Sequence, residues 1–304
     1  MAGLEYVRKV DGPPRGPTIG LKSPPVDVTW PQVLGLWREI DQTRDFDSAW
    51  VFDHFDPRFD RTTGAMEAFT LLAALAAQTS RISLGALVLG ATHRHPALVA
   101  KMSANLDQIS GGRFILAIGA GWHEAEHRMY GWPLPAVGRR IAFLEESVIA
   151  LKGMLAHPSG FTLRTSSLQL TNATCLPPPL THGGPPVWVA AGGARGIGIA
   201  ACLADVWVSI SPPGPESLEE FRSRRRLLEQ HLERCERDSG PGMAVQVPLG
   251  QHKTGEVFEH CLGLIDENVG HLIFAPDAFP TGKEIARLIS EVVRPLRGHF
   301  GRQR

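Results

Sequence analysis

The stretch TLLAALAAQTSRISLGALVLGATHRHPALVAKM, residues 70–102, places one strand-like run between two helical segments. Its first part is rich in Ala and Leu and contains neither Gly nor Pro, which favours a helix. The run RISLGALVL has the length and composition of a buried strand, and a second helix is predicted to begin near Pro96. This helix–strand–helix order is typical of α/β proteins with parallel sheets.

The same alternation extends along almost the whole chain. It predicts eight strands, each followed by a helix, at residues 17–23, 48–55, 81–89, 113–119, 187–193, 205–210, 243–250 and 271–276. The first helix is predicted to begin with Thr29 as its N-cap and Pro31 in its first turn, and the last helix to run from Thr281 towards Arg297. Eight such units favour a closed (β/α)8 TIM barrel over an open doubly wound sheet. The pattern breaks around residues 157–186, where a small hairpin (161–173) and a Pro-rich connector are expected. We therefore predict one barrel domain over residues 1–304 with an irregular insertion around 157–186.

The composition excludes several classes of partner. Lys plus Arg and Asp plus Glu both number 31, so no net charge attracts nucleic acid or an anionic membrane. No apolar run approaches the length of a membrane span, and the first residues lack the apolar core of a signal peptide. The four cysteines are scattered without a CxxC pair, which argues against a disulfide framework or a structural zinc site and suggests a reducing compartment. We expect a soluble cytoplasmic protein with neither nucleic-acid nor membrane partners.

The segment GAGWHEAEHRMYG (119–131) contains a zinc-protease motif, H-E-x-x-H, at His123, Glu124 and His127. The motif follows a glycine-rich strand end, so His123 would lie in the first helical turn. Glu145 and Glu146 are candidate third ligands, but Gly and Pro residues separate them from the motif. We interpret the match as a coincidence and predict no metal, with a zinc hydrolase as the alternative.

Two glycine-rich strand ends, GAGW (119–122) and AAGGARG (190–196), are predicted to lead directly into helices. Backbone N–H groups at such a point bind anions, so the pair predicts a phosphate-bearing cofactor at the strand ends. A tight turn without a ligand is the alternative. Asp53 and His54 close the second strand, where an imidazole can exchange protons near neutral pH. The alternative is a loop histidine with a structural role.

Four blocks together resemble the luciferase-like monooxygenase superfamily, and within it the branch that depends on the deazaflavin coenzyme F420. They are FDSAWVFDHF (46–55), the stretch quoted first, NLDQISGGRFILAIGAGWHEAEHRMYG (105–131) and PPVWVAAGG (185–193). The resemblance covers roughly residues 18–210 and implies a (β/α)8 barrel, usually in a homodimer, with the cofactor ring over the strand ends.

The resemblance also implies a role for each residue that matches a family motif. His54 is the catalytic candidate, and the bond between Leu87 and Val88 is expected to be a non-prolyl cis peptide behind the ring. The further residues expected to bind the cofactor are Asp53, Gly90, Gly119, Gly121, Trp122, Ala190, Ala191, Gly192 and Gly193.

Several positions depart from the F420-dependent glucose-6-phosphate dehydrogenases of this superfamily. Arg58 stands where those enzymes have a tryptophan, while Val26 and Trp122 stand where they have glutamates. These differences argue against sugar-phosphate oxidation. The segment GLKSPPVDVTWPQVLGLWREID (20–41) resembles one subgroup of the F420 branch, which usually has an aromatic residue where this chain has His93. His93 is expected to place another imidazole near the pocket.

The function implied by the resemblance is hydride transfer between F420 and a small organic substrate, with His54 giving or taking the accompanying proton. The alternative on the same barrel is an FMN-dependent monooxygenase that uses reduced flavin and oxygen. A barrel that binds flavin or another ligand without catalysis is a further alternative.

Overall fold

The computed structural model describes residues 16–56, 64–235, 237 and 239–301. In this part of the chain the strands are β1 (Thr18–Lys22), β2 (Ser48–Val51), β3 (Ser83–Ala86), β4 (Leu89–Gly90), β5 (Leu116–Gly119), β6 (Phe161–Arg164), β7 (Gln169–Ala173), β8 (Val187–Ala190), β9 (Val206–Ile210), β10 (Gly242–Pro248) and β11 (His271–Ala275).

The helices are α1 (Trp30–Gln42), α2 (Ala68–Gln78), α3 (Pro96–Ser110), α4 (Glu124–Tyr130), α5 (Val137–Ala156), α6 (Ala194–Leu203), α7 (Pro215–Leu232), α8 (Thr254–Asp266), α9 (Gly282–Leu288) and α10 (Arg294–Gly301), with one π-helical turn, Ile289–Val293, between the last two. This turn interrupts the single final helix predicted from Thr281. None of the helices in the described ranges is long and apolar enough to cross a membrane.

The main sheet is parallel and closes on itself. Its strand order is β3-β2-β1-β11-β10-β9-β8-β5-β4. Strands β3 and β4 are two parts of one barrel strand, since the Leu84 N–H donates to Arg113 O (3.1 Å) and Ile115 N–H donates to Leu84 O (2.9 Å). Counted this way, eight strands complete the barrel, and the predicted (β/α)8 fold is confirmed.

Alternate residues of the barrel strands fill the interior with apolar side chains. This inner core consists of Trp50, Leu87, Ala117, Trp188, Val206, Val208, Ala244 and Ile273. Trp50 packs against Trp188 with ring centroids 5.0 Å apart. A Cβ at Gly20 or Gly85 would lie within 2.9 Å of the Trp50 side chain, so only glycine leaves room for this indole. The filled interior forms a floor beneath the carboxyl ends of the strands.

A larger apolar core lies between the barrel and the surrounding helices. Helix α1 begins where predicted, with Thr29 at the N-cap and Pro31 in the first turn. The insertion between α5 and β8 contains the predicted hairpin, in which β6 pairs with β7 antiparallel.

The cysteine prediction is wrong, because Cys202 and Cys235 form a disulfide. Cys202 lies on α6 and Cys235 follows α7, and these two packed helices bring the Cα atoms to 5.3 Å. A separation of 33 residues carries no sign of this proximity in the sequence. The inference of a reducing compartment therefore loses its basis. Cys175 and Cys261 are free and buried.

Candidate active site

A cavity of about 230 Å³ opens at the carboxyl ends of the barrel strands. Most of the predicted site residues line it, namely Asp53, His54, Leu87, Val88, Gly90, Trp122, Gly121 and Ala190. It is also lined by Phe52, Leu89, Val208 and Ile210, which make much of its wall apolar, and by Lys22, His93, His123 and Gln246. Gly119, Ala191, Gly192 and Gly193 are outside the lining. The cavity therefore brings together groups from the ends of most barrel strands.

His54 is held at the cavity wall by a buried carboxylate. Its Nδ1 lies 3.3 Å from Glu126 Oε2, while the Glu126 side chain has no solvent exposure and that of His54 is 26% exposed. The second oxygen, Oε1, accepts hydrogen bonds from the backbone N–H groups of Phe55 and of Asp56, the latter at 2.9 Å. Glu126 thus holds both the imidazole and the loop that follows it.

Glu126 is ionised in this position. Burial opposes its ionisation, but hydrogen bonds from His54 and from the Asp56 and Phe55 backbones lower its pKa to about 2. An ionised carboxylate only accepts hydrogen bonds, so His54 Nδ1 must carry a proton. In neutral His54 the other nitrogen, Nε2, is then the one that accepts a proton.

Asp53 lines the cavity and supports the site through a set of buried hydrogen bonds. Its carboxylate forms two hydrogen bonds of 2.8 Å with Arg94, and its Oδ2 also accepts from Gly90 N–H at 3.0 Å and contacts His93 Nδ1 at 3.1 Å. Burial raises the pKa of Asp53, but the hydrogen bonds and charges of His93 and Arg94 outweigh it and lower the pKa below its usual value. Asp53 therefore ties β2 to the loop after β4.

His93 connects the two buried carboxylates. Its Nδ1 faces Asp53, its Nε2 lies 3.7 Å from Glu126 Oε2, and its side chain is only 4% exposed. The expected imidazole near the pocket is therefore present and belongs to a charged cluster with Asp53, Arg94, Glu126 and His54.

The H-E-x-x-H residues have other partners in the structure. His123 is the N-cap of α4, and its Nδ1 accepts from the Glu126 N–H at 2.9 Å. His127 Nδ1 bonds to His123 O at 2.7 Å and its Nε2 to Thr92 Oγ1 at 2.7 Å. Within the described ranges no three His, Cys, Asp or Glu side chains are arranged to hold a metal. Metal analysis of the purified protein tests the zinc alternative.

The peptide bond between Leu87 and Val88 is cis, as the resemblance implied. It lies between β3 and β4, and both residues line the cavity. Beneath it, a Cβ on Gly119 would lie 3.0 Å from Val88 Cγ2, so the glycine of β5 permits Val88 to approach. This is how Gly119 contributes to the cavity wall without facing it.

The turn after β8 offers donors for an anion near the cavity. Gly193 is the N-cap of α6 and provides no side-chain cap for the first N–H groups of that helix. The Arg224 guanidinium lies 3.6 Å from the point that a Cβ on Gly192 would occupy, and it also pairs with Glu220. Arg195, in the first turn of α6, instead donates to Gly138 O at 3.3 Å. Helix N–H groups without a side-chain cap, beside the Arg224 guanidinium, match the chemistry of a phosphate.

Sequence reasoning missed Lys22, Gln246, Arg94 and the role of Glu126. Lys22 belongs to the first predicted strand, residues 17–23, but no role in the site was predicted for it. Alternation along the strand puts Lys22 in the cavity, while Ser23 Oγ accepts from Trp37 Nε1 at 3.1 Å on the other side. Strict inward and outward alternation from Gly20 would have found Lys22. Arg58, one of the departures noted in the sequence, lies outside the described residues.

These features define a (β/α)8 barrel with a cavity at the carboxyl ends of its strands. The family model for luciferase-like monooxygenases matches residues 21–257, and the chain belongs to this family.

Two sequence relatives and one solved structure illustrate the similarity. The chain is 33% identical over 174 residues to an F420-dependent glucose-6-phosphate dehydrogenase of Intrasporangium calvum, a match covering 56% of this chain and 51% of that protein. It is 43% identical over 91 residues to pyrimidine monooxygenase RutA of Serratia proteamaculans, covering 29% of this chain and 25% of that protein.

The solved structure is an F420-dependent secondary alcohol dehydrogenase in complex with an F420-acetone adduct. It matches with a TM-score of 0.76 at 16% identity, covering 92% of this chain and 99% of that one. This likeness concerns the fold. The chain spans about half, or less, of the length of the two sequence relatives.

Proposed function

We propose that this protein is an oxidoreductase that binds coenzyme F420 and transfers hydride between it and a small organic substrate. The observation that carries the proposal is the imidazole of His54 at the wall of a largely apolar cavity, oriented through Nδ1 by buried Glu126. Such a site binds a flat organic ring and exchanges a proton beside it.

The residues around the cavity fit a ring system that carries a phosphate. Leu87, Val88 and Ala190 form an apolar surface for a ring. The uncapped N-terminus of α6 beside the Arg224 guanidinium would hold the phosphate, because it combines N–H donors with a cation. Ala191, Gly192 and Gly193 would then contribute to cofactor binding as parts of this turn and not as residues that line the cavity.

The bound deazaflavin supplies the ring carbon that gives or takes the hydride. His54 moves the accompanying proton through Nε2, since Nδ1 is committed to Glu126. The apolar walls formed by Phe52, Val208 and Ile210 limit water around the reacting atoms. Trp122 is 63% exposed, and its ring lies 5.6 Å from that of His54, so it forms the outer edge of the cavity.

The sequence relatives and the structural matches both support the proposal that the protein is an oxidoreductase. Proteins described as F420-dependent occur among both the sequence relatives and the structural matches. We do not extend the proposal to glucose 6-phosphate, because Val26, Trp122 and Arg58 replace residues of that subfamily.

The second candidate is an FMN-dependent monooxygenase. The similarity to pyrimidine monooxygenase RutA favours it, and the anion-binding turn at α6 suits the phosphate of either cofactor. Oxygen uptake that depends on reduced FMN would establish this candidate.

The proposal is tested by titrating the protein with F420 and with FMN side by side. We expect F420 to bind at micromolar concentration or below, and more tightly than FMN. Oxidation of reduced F420 is then followed with a panel of enones and imines, and reduction of F420 with secondary alcohols. His54→Ala should retain cofactor affinity within about threefold and lose at least about 100-fold in turnover.

The matched control is His182→Ala, which removes an exposed histidine outside the cavity and should change neither property. A wild-type protein that binds neither F420 nor FMN at micromolar concentration would refute the proposed function. Binding without turnover on any substrate, together with unchanged behaviour of His54→Ala, would favour the non-catalytic alternative.

We also propose that the protein acts as a homodimer, as the resemblance to the family implies, and, as a separate proposal, that it acts in the cytoplasm. Light scattering on the purified protein tests the dimer. Fractionation of the source cells tests the location, which the disulfide between Cys202 and Cys235 makes worth measuring.

A further inference from the structure

Lys22 lies at the boundary between two cavities. As the last residue of β1 it lines the cavity that contains His54, and it also lines a neighbouring cavity of about 220 Å³. Phe52 and Gln246 also line both cavities. The second cavity extends away from the ring-binding surface and is otherwise lined by Pro24, Val26, Pro248, Ala275, Pro276 and Asp277.

The ammonium group of Lys22 has hydrogen-bonding capacity to spare. Its Nζ donates to Gln246 Oε1 at 3.1 Å, which uses one of its three N–H donors. In the parts of the chain that the structure covers, no carboxylate comes within 4.0 Å of this nitrogen. Asp277 is exposed at the outer rim of the second cavity. Burial lowers the pKa of Lys22 to about 8, so an anionic partner would relieve a cost of desolvation.

Gln246 extends the same donor surface. Because its Oε1 accepts from Lys22, its Nε2 amide group is left with two donors beside the ammonium. An ammonium and an amide NH₂ side by side match the two oxygens of a carboxylate. They match a phosphate dianion less well, since the pair offers a single positive charge. The phosphate-binding turn of α6 is a different feature, at the end of β8.

We propose that the second cavity is the substrate subsite of this barrel, and that Lys22 and Gln246 bind a carboxylate group of a small organic acid there. This inference rests on the proposed function, because it assumes that the first cavity holds the cofactor ring. Lys22 anchors one end of the substrate, and the reacting carbon then lies in the shared space beside Phe52, within the cavity that His54 also lines. The substrate class is therefore a small carboxylate with an apolar body.

The test measures the binding of simple probes to the protein without cofactor, by calorimetry or ligand-detected NMR. Benzoate carries the proposed group, benzamide is its neutral analogue, and phenyl phosphate carries the competing anion. We expect benzoate to bind at least tenfold more tightly than benzamide, and Lys22→Met to weaken the binding of benzoate more than that of phenyl phosphate. Lys22→Met should reduce the benzoate-to-benzamide ratio to about one.

The matched control is Lys283→Met, which removes the same charge from an exposed position on α9 and should preserve the ratio. Wild-type protein that binds benzoate no more tightly than benzamide overturns the inference, even if the variant fails to fold. A Lys22→Met protein that keeps the preference also overturns it. A Lys22→Met protein that loses more affinity for phenyl phosphate than for benzoate refutes the carboxylate assignment.

The two proposals fail in different ways. If wild-type protein binds F420 or FMN but shows no preference for benzoate, only the substrate subsite is wrong. If it binds neither cofactor, the proposed function itself is wrong, whatever the probes do.

Discussion

Replacing Glu126 with Gln tests the arrangement that positions His54. The Glu126 carboxylate bonds to the His54 imidazole and to the backbone of Phe55 and Asp56, with no solvent exposure. Its pKa of about 2, against 4.5 for a free glutamate, means that the folded protein favours the ionised form. At about 1.4 kcal/mol per pKa unit, the ionised group stabilises the fold by about 3 kcal/mol at neutral pH.

The pH dependence of this stabilisation has a definite sign. The folded-state pKa of Glu126 is lower than the unfolded-state value, so the contribution is complete above about pH 5 and is lost as the pH falls towards 2. At pH 3.5 about 1 kcal/mol of it has gone. Glu126→Gln should therefore be less stable than wild type by about 3 kcal/mol at pH 7, and the difference should shrink in acid.

The assay is urea unfolding followed by tryptophan fluorescence at pH 7 and pH 3.5. The control is Glu124→Gln on the same helix, where the carboxylate is exposed and lies 3.8 Å from Arg128. We expect this control to change the free energy of unfolding by less than about 0.5 kcal/mol. The ¹⁵N shifts of the His54 imidazole should also move in Glu126→Gln, because Nδ1 loses its anionic acceptor. Equal losses in the two variants at pH 7, or a difference that does not depend on pH, would refute the reasoning.

Three further predictions concern other parts of the chain. Cys202→Ser should lower the free energy of unfolding by about 2–4 kcal/mol. A thiol assay on denatured, unreduced wild-type protein should detect two free thiols among the four cysteines. Four free thiols would contradict the disulfide. Gly121→Ala should lower the melting temperature, because Gly121 has φ +74° and a Cβ would overlap with Thr92 Oγ1; an unchanged melting temperature would contradict this packing. Arg224→Ala should weaken cofactor binding about fivefold to tenfold, and the loss should be larger at low salt than at high salt. The control, Arg226→Ala, should leave cofactor affinity unchanged. Equal losses of affinity in the two variants would show that Arg224 does not belong to the site.

The order of the elements could be predicted because it depends on local patterns. The Ala- and Leu-rich segment of α2 and the apolar run of β3 each have a composition that favours one kind of structure. Closure into a barrel followed from counting eight such units. The split between β3 and β4 was not predicted from local composition, since RISLGALVL reads as one continuous strand and only the family resemblance placed the cis bond there.

The site could be predicted in part. His54 and Leu87 were located because strand ends meet at one end of a barrel, and the family motifs named which residues to choose. Glu126 occupies a variable position of the H-E-x-x-H match, so the motif gives it no role. Its importance depends on α4 turning back so that residue 126 meets residue 54, a contact across 72 positions.

The sequence by itself determined the fold class, the approximate bounds of most elements and the end of the barrel at which chemistry is expected, because these follow from hydrophobic period and helix or strand preference over short windows. Only the tertiary structure decided that Glu126 orients His54, that Lys22 faces a second cavity and that Cys202 meets Cys235. The physical reason is the same in each case. Charge pairing, burial and disulfide formation depend on distances of a few ångströms between residues far apart in the chain, and packing sets those distances.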